Sequence, residues 1–176
     1  MNNILIWSAT SGANLELSDQ LKQMIEAQSE SVEIINLESL DLPLYTPPAE
    51  KNGIPDKAIE LTTKLKAAKG LVVVAPEYNG GVPPVVNNAL AWMSRSGDED
   101  WRAGFTGKIA LVATNSGGPA FKYQRIMRLQ LEHLGMEVMT RTIATNSFTP
   151  LKAPSAEKIL SRFIEFTKIE SKLVYN

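Results

Sequence analysis

Residues 76–81, Pro-Glu-Tyr-Asn-Gly-Gly, set a carboxylate, a phenol ring and a carboxamide beside two glycines, directly after the apolar run Leu71, Val72, Val73, Val74, Ala75. The helix-forming stretch from Pro83 to Ser94 follows at once. Glycine lets the chain approach a flat face closely, and free amides together with a carboxamide satisfy acceptors along a ring edge. Pro76 and the Gly80-Gly81 pair are expected to fix a turn there, and a planar heteroaromatic ligand held at Tyr78 and Asn79 is the chemistry this composition suits, with Pro76, Glu77 and Gly80 completing the platform. Turn residues of these types also serve as plain scaffold, and the segment alone does not decide between the two readings.

Two further segments carry the same kind of chemistry. Residues 8–14, Ser-Ala-Thr-Ser-Gly-Ala-Asn, lead into a helix beginning near Leu15 and offer the hydroxyls of Ser8, Thr10 and Ser11 and the carboxamide of Asn14. A helix start with unpaired amides and a positive dipole end suits a phosphate, although Ser11 or Asn14 equally suits helix capping. Residues 114–119, Thr-Asn-Ser-Gly-Gly-Pro, form a hydroxyl- and amide-bearing lip through Asn115, Ser116, Gly117 and Gly118. The bland alternative there is an ordinary strand-to-helix turn. No Gly-x-x-x-x-Gly-Lys phosphate loop and no Gly-x-Ser-x-Gly nucleophile elbow is present, which disfavours nucleoside-triphosphate hydrolysis and serine hydrolysis.

The elements that must position these segments alternate. Strands are expected at 4–8, near Val32, Ile34 and Leu37, at 71–75, at 108–114 and at 136–143. Helices are expected from Leu15 to Ile25, 56–68, 83–94, 124–134 with Gly135 closing it, and 155–173. The proline-rich stretch 41–48 reads as a surface loop, since each proline removes an amide donor. Five strands separated by helices call for an α/β three-layer sandwich over residues 1–176, with a five-stranded parallel sheet covered on both faces. Its length suits the flavodoxin-like order 2-1-3-4-5. In that order the loops after strands 1, 3 and 4 meet over one crevice at the carboxyl end of the sheet, and these are the three segments described above.

Bulk properties bound the alternatives. The 176 residues carry 18 Lys and Arg against 19 Asp and Glu, a formal net charge of −1, so electrostatics give no reason to expect a nucleic-acid partner. Cysteine is absent, which removes thiolate catalysis and disulfides. The run Asp98-Glu99-Asp100 reads as a solvated charge cluster, with no metal site expected. The only histidine, His133, falls late in a helix, away from the carboxyl-end loops. No run approaches the roughly 20 apolar residues that span a bilayer, and the amino terminus lacks the basic segment of a signal peptide, so no membrane partner and a cytoplasmic location are expected.

The segment Pro76 to Gly80, followed by Pro83, Asn88, Ala89, Trp92, Ser94 and Arg95, resembles the signature of the NAD(P)H-dependent FMN reductases, a family that includes quinone, chromate and azo reductases. Weaker similarity covers the first loop, residues 41–45, Ser116 to Gly118 and 131–135, so that the likeness runs from the first strand to about residue 140. The resemblance implies that FMN phosphate lies in the first loop at Ser8, Thr10, Ser11, Asn14 and Leu15. It also implies that the ring rests on Pro76 to Gly80, with Asn115 to Gly118 bordering it. NADPH or NADH is then the cosubstrate, the acceptor is a small molecule such as a quinone, azo compound, metal oxyanion or free flavin, and no protein nucleophile is needed. Because members of that family are often dimers or tetramers, the resemblance implies a homodimer or homotetramer with Tyr45 or Trp92 at the contact, while the stripe Val85, Ala89, Trp92 and Met93 reads by its spacing as core or subunit contact. One departure stands out: many relatives carry an arginine in the first loop, and residues 8–15 hold none. Two other classes remain open, a flavodoxin-type electron carrier and a non-catalytic scaffold without FMN.

Overall fold

The structure is a computed structural model that describes residues 3–96 and 100–173. Its elements in chain order are β1 (Ile4–Ser8), α1 (Ala13–Glu26), β2 (Val32–Asn36), a short 3-10 turn (Glu38–Leu40), α2 (Pro47–Lys51), α3 (Asp56–Ala67), β3 (Gly70–Val74), α4 (Pro84–Ser96), β4 (Ile109–Ser116), α5 (Phe121–His133), β5 (Glu137–Val138), β6 (Ile143–Asn146) and α6 (Ala153–Leu173). The strands form one sheet in the order β2-β1-β3-β4-β5, with β6 also paired to β4. All pairings are parallel. The expected 2-1-3-4-5 arrangement is therefore present.

Alternation along the strands sorts the core into two layers. Leu5, Trp7, Leu71, Val73, Ala110 and Val112 face α3, α4 and α5, which contribute Leu61, Leu65, Val86, Met93, Met127 and Leu131. Ile4, Ile6, Val72, Val74 and Leu111 face α1 and α6, which contribute Leu21, Ile25, Leu160 and Phe163. A sheet buried on both faces needs continuous apolar runs rather than alternation with polar residues, and β1 and β3 are buried throughout. Full burial of each large apolar side chain contributes about 1.5–3 kcal/mol. At Gly70 a Cβ would lie 2.7 Å from the Thr167 methyl carbon, so β3 and α6 touch through a missing side chain.

Three expectations change. The fifth strand, expected over 136–143, is two short strands: β5 pairs with Ile109 and Ala110 at the start of β4, and β6 with Ala113 to Ser116 at its end. Between them residues 140–142 leave the sheet, and the Arg128 guanidinium on α5 donates to the carbonyls of Val138 and Met139, satisfying acceptors the sheet has released. Within the expected loop 41–48 the chain turns helical at Pro47. Thr46 caps α2 by accepting from the Ala49 amide at 3.1 Å, and prolines in a first helical turn lose only donors that have no intrahelical partner. The helix after β4 begins at Phe121, earlier than the expected 124, because a distant carboxylate caps it, as described below.

At the amino-terminal side of the sheet Glu30 is buried, with Lys69 Nζ at 2.7 Å and Lys168 Nζ at 2.9 Å. Burial pushes its pKa up, but the hydrogen bonds and charges of the two lysines outweigh that effect and hold it below the ordinary 4.5. A carboxylate with a depressed folded pKa stabilises the fold above its unfolded value, and the contribution disappears as pH falls through the folded value. Glu30→Gln is therefore expected to lower stability at pH 7 and to flatten the loss of stability below pH 4.5. Urea unfolding followed by circular dichroism at several pH values checks this, and an acid limb equal to that of the parent would remove Glu30 from it.

Candidate functional site

The loop after β1 is held from three sides. Ser8 is buried and donates its hydroxyl to the Thr10 carbonyl at 2.7 Å. Asn14, also buried, donates from Nδ2 to the Asn115 carbonyl at 3.0 Å and accepts from the Asn115 amide at 3.0 Å. One side chain thus joins the start of α1 to the end of β4. The Ser11 amide donates to Glu38 Oε2 at 2.8 Å, and Asn36 Nδ2 donates to Ser11 Oγ at 3.1 Å. Hydrogen bonds from the Ser11 amide and hydroxyl hold the Glu38 carboxyl below its ordinary value, so it is anionic at neutral pH. Gly12, at φ +69°, precedes α1 without a side-chain cap, and a Cβ there would meet nothing within 4 Å. The first-turn amides of α1 thus have no partner from the N-cap side chain, and such amides lack intrahelical acceptors.

The loop after β3 makes a narrower turn than its composition suggested. Tyr78 and Gly81 exchange both backbone hydrogen bonds, 3.1 and 2.9 Å, and the two residues between them, Asn79 and Gly80, have φ of +50° and +73°. Positive φ at both central positions is the type I′ pattern, for which Asn-Gly is the favoured pair. The turn thus belongs to Asn79-Gly80, not to the Gly80-Gly81 pair. Pro76 is buried, whereas Tyr78, 49% exposed, and Asn79 stand out at the rim. Glu77 points elsewhere: its Oε2 accepts from the Lys122 amide at 3.1 Å and the Tyr123 amide at 3.0 Å. A carboxylate on two first-turn donors is a charge-assisted cap that also suits the helix dipole, and it accounts for the early start of α5.

The loop after β4 joins the other two. Ser116 Oγ accepts from the Glu77 amide at 2.6 Å, while Asn115 is clasped by Asn14. Gly117 and Gly118 have nothing within 4 Å of a built Cβ, so the surface over them is open. Phe121, 68% exposed, opens α5 after this loop, and Phe148, 89% exposed, lies in the turn after β6; sequence reasoning did not single them out. The expected residues of all three loops thus come to the carboxyl ends of β1, β3 and β4, with Gly12, Gly80, Gly117 and Gly118 contributing backbone rather than side chain. Among the side chains, Asn14 and Glu77 are occupied by backbone partners, and Thr10, Ser11, Tyr78 and Asn79 are accessible.

The helix after the turn holds a fourth segment in place. Asn88 accepts from the Tyr45 amide at 2.7 Å and donates to the carbonyls of Leu42 and Pro43 at 3.2 and 3.1 Å. The indole Nε1 of Trp92 donates to the Pro43 carbonyl at 2.6 Å. Tyr45 meets the Trp92 ring edge-on at 5.2 Å, and its hydroxyl donates to Glu50 at 2.7 Å. Trp92 is 1% exposed and has no surface to give a second subunit, which corrects the expectation for that residue. His133 ends α5, exposed and 5.8 Å from the Trp101 ring, remote from the three loops. Asp98 and Glu99 of the acidic run lie outside the described residues.

Comparison with known proteins bears on the family and the fold. Residues 3–150 match the family described as NADPH-dependent FMN reductase. A quinone reductase of Escherichia coli K12 is 37% identical over 90 residues, 50% of this chain and 46% of the relative; the alignment spans about half the length of that protein. Among solved structures, the flavoenzyme NAD(P)H:(acceptor) oxidoreductase FerB of Paracoccus denitrificans superposes with a TM-score of 0.72 at 20% identity, covering 97% of both chains. An archaeal flavodoxin does so with a TM-score of 0.67 at 16% identity, covering 96% of this chain and 99% of the other. At those identities the superpositions show a shared flavodoxin-like fold.

Removing the Asn14 carboxamide leaves the Asn115 amide and carbonyl without their partner in a part-buried position. Asn14→Ala is expected to lower unfolding stability by about 1–3 kcal/mol, the cost of stranding such groups. Equilibrium urea denaturation measures it; a change below about 0.3 kcal/mol would show that water replaces the clasp without loss.

Proposed function

The chain belongs to the NADPH-dependent FMN reductase family, and from that membership we propose that it passes reducing equivalents from NADPH or NADH, through FMN, to a small acceptor. Its relationship to a quinone reductase favours a quinone; azo compounds, metal oxyanions and free flavin are the other acceptors of this chemical type. When bound, FMN supplies the hydride chemistry, and the protein supplies placement and electrostatics.

The observation that carries the reading is the open cradle. The start of α1 has no N-cap side chain and Gly12 leaves open space beside it, the Asn79-Gly80 turn follows β3, and no atom lies within 4 Å of a Cβ built at Gly117 or Gly118. That donor set fits a phosphorylated flavin. The hydroxyls of Thr10 and Ser11 and the first-turn amides of α1, including that of Leu15, are assigned to the phosphate. Backbone groups of the turn at 78–80 are assigned to the ring edge, with the Tyr78 ring at the rim. Asn115 and Ser116 hold the bordering loop, and Gly117 and Gly118 let the ring lie close to the chain. Ser8, Asn14, Pro76 and Glu77 fix these loops from beneath. An assembly of two or four copies is part of this reading, supported by the exposed apolar side chains of Leu44, Ile126 and Leu129.

Titration with FMN, followed by visible spectra before and after anaerobic NADPH, tests the assignment. Binding in the micromolar range or tighter, on the order of −8 kcal/mol, and bleaching by NADPH are expected. Absence of binding would leave a scaffold, and bleaching without steady turnover on any small acceptor would leave an electron carrier. Gly118→Val provides a local test: its added atoms meet no protein neighbour within 4 Å at the Cβ, so folding is expected to be unchanged while FMN affinity falls at least tenfold. Unaltered affinity would move the ring away from that loop.

A further inference from the structure

The loop assigned to the phosphate already holds an anion. Glu38, the first residue of the 3-10 turn after β2, lays Oε2 on the Ser11 amide at 2.8 Å. The carboxylate is not there by chance of an extended side chain. The Glu38 amide donates to Asn36 Oδ1 at 3.1 Å, and Asn36 Nδ2 donates to Ser11 Oγ at 3.1 Å. Asn36 therefore fixes both the backbone from which Glu38 projects and the hydroxyl beside the amide that Glu38 occupies. Because β2 lies beside β1, with Ser8 paired to Asn36, the turn after β2 is delivered to the same end of the sheet as the loop after β1.

Charge makes this arrangement consequential. Residues 8–15 contain no lysine, arginine or histidine, and Glu16 stands in the first turn of α1. A phosphate reaching for the Ser11 amide meets the Glu38 carboxylate already on it, and no cation in the loop offsets the repulsion. Two like charges held at one amide repel each other, and because Glu38 is exposed solvent screens that repulsion to a modest effect.

Building on the proposed flavin site, we infer that Glu38 competes with the ligand phosphate for the Ser11 amide, and so sets this loop to hold a phosphorylated flavin as an exchangeable ligand instead of a permanently resident one. Its effect is confined to the phosphate. A ligand with the same ring and ribityl chain but no phosphate does not enter the contest, so Glu38 lowers the preference for FMN over riboflavin without weakening ring binding.

The test compares FMN with riboflavin on the whole chain by quenching of flavin fluorescence, for the parent, Glu38→Gln and Glu38→Ala. Gln keeps a neutral acceptor near Ser11 and Ala removes the side chain, and because Glu38 is exposed both are expected to keep the parent's melting temperature. Both substitutions are expected to tighten FMN roughly tenfold and to leave riboflavin affinity within twofold. Equal tightening of both flavins would show that Glu38 acts through loop shape and overturn the inference, as would a fall in FMN affinity or no change in it. If the parent and both variants bind neither flavin, the proposed site fails as well. Parent binding of both flavins with an unaltered preference in the variants would sink the role of Glu38 alone.

Discussion

The crevice depends on one carboxamide more than on any other group. Asn14 stands at the first turn of α1 and closes both a donor and an acceptor onto the backbone of Asn115, 101 residues away. Between β1 and β4 lies β3, so this clasp bridges over the central strand at its carboxyl end. The turn after β3 is then bounded on both sides. Its own ties run the same way: the Glu77 amide donates to Ser116, and the Glu77 carboxylate receives the amides of α5. Polar side chains of the three loops bind one another's backbones first, and what remains for a ligand is amide, hydroxyl and the empty space over glycine.

This division of labour recasts the signature after β3. Asn88, Trp92 and Arg95 are, read along the chain, part of the signature by which the sequence resembles its family. In three dimensions Asn88 and Trp92 grip residues 42–45, and Arg95 sits 3.9 Å from Glu50 and over the Tyr45 ring. Its residues shape the approach to the crevice by holding down a proline-rich segment that has few backbone donors of its own. Substituting Asn88 would strand the Leu42 carbonyl and the Tyr45 amide and leave the Pro43 carbonyl to Trp92 alone, which explains why a carboxamide, with both donor and acceptor, occupies that place.

Much of the architecture was legible because burial on both faces leaves a plain trace in composition. The apolar runs at β1, β3 and β4 and the intervening helical periodicities place the layers, and the strand order came from matching five units and the chain length to a known fold order. What could not be read depends on contacts between residues far apart in the chain. The start of α5 is set by Glu77, 45 residues upstream of Lys122, and no local cap announces it. The break in the fifth strand is stabilised by Arg128, whose role depends on α5 lying alongside. Glu38 carries a weak local signal: it comes two residues after β2, and in a parallel sheet every such position opens toward the ligand end. The turn at 78–81 was located, yet its centre was assigned to the glycine pair, because an asparagine at positive φ is invisible until the backbone is seen.

The break between β5 and β6 also shapes how this protein meets others like itself in a crowded solution. An uninterrupted outer strand would offer a straight row of unpaired amides and carbonyls to any exposed strand nearby, which is the usual seed of intermolecular sheet growth. Here the border is cut into pieces of two and four residues, separated by an exposed threonine and arginine at 140 and 141. Neither piece is long enough to template a neighbour, so the flank opposite β2 is protected against edge-to-edge aggregation by its own irregularity.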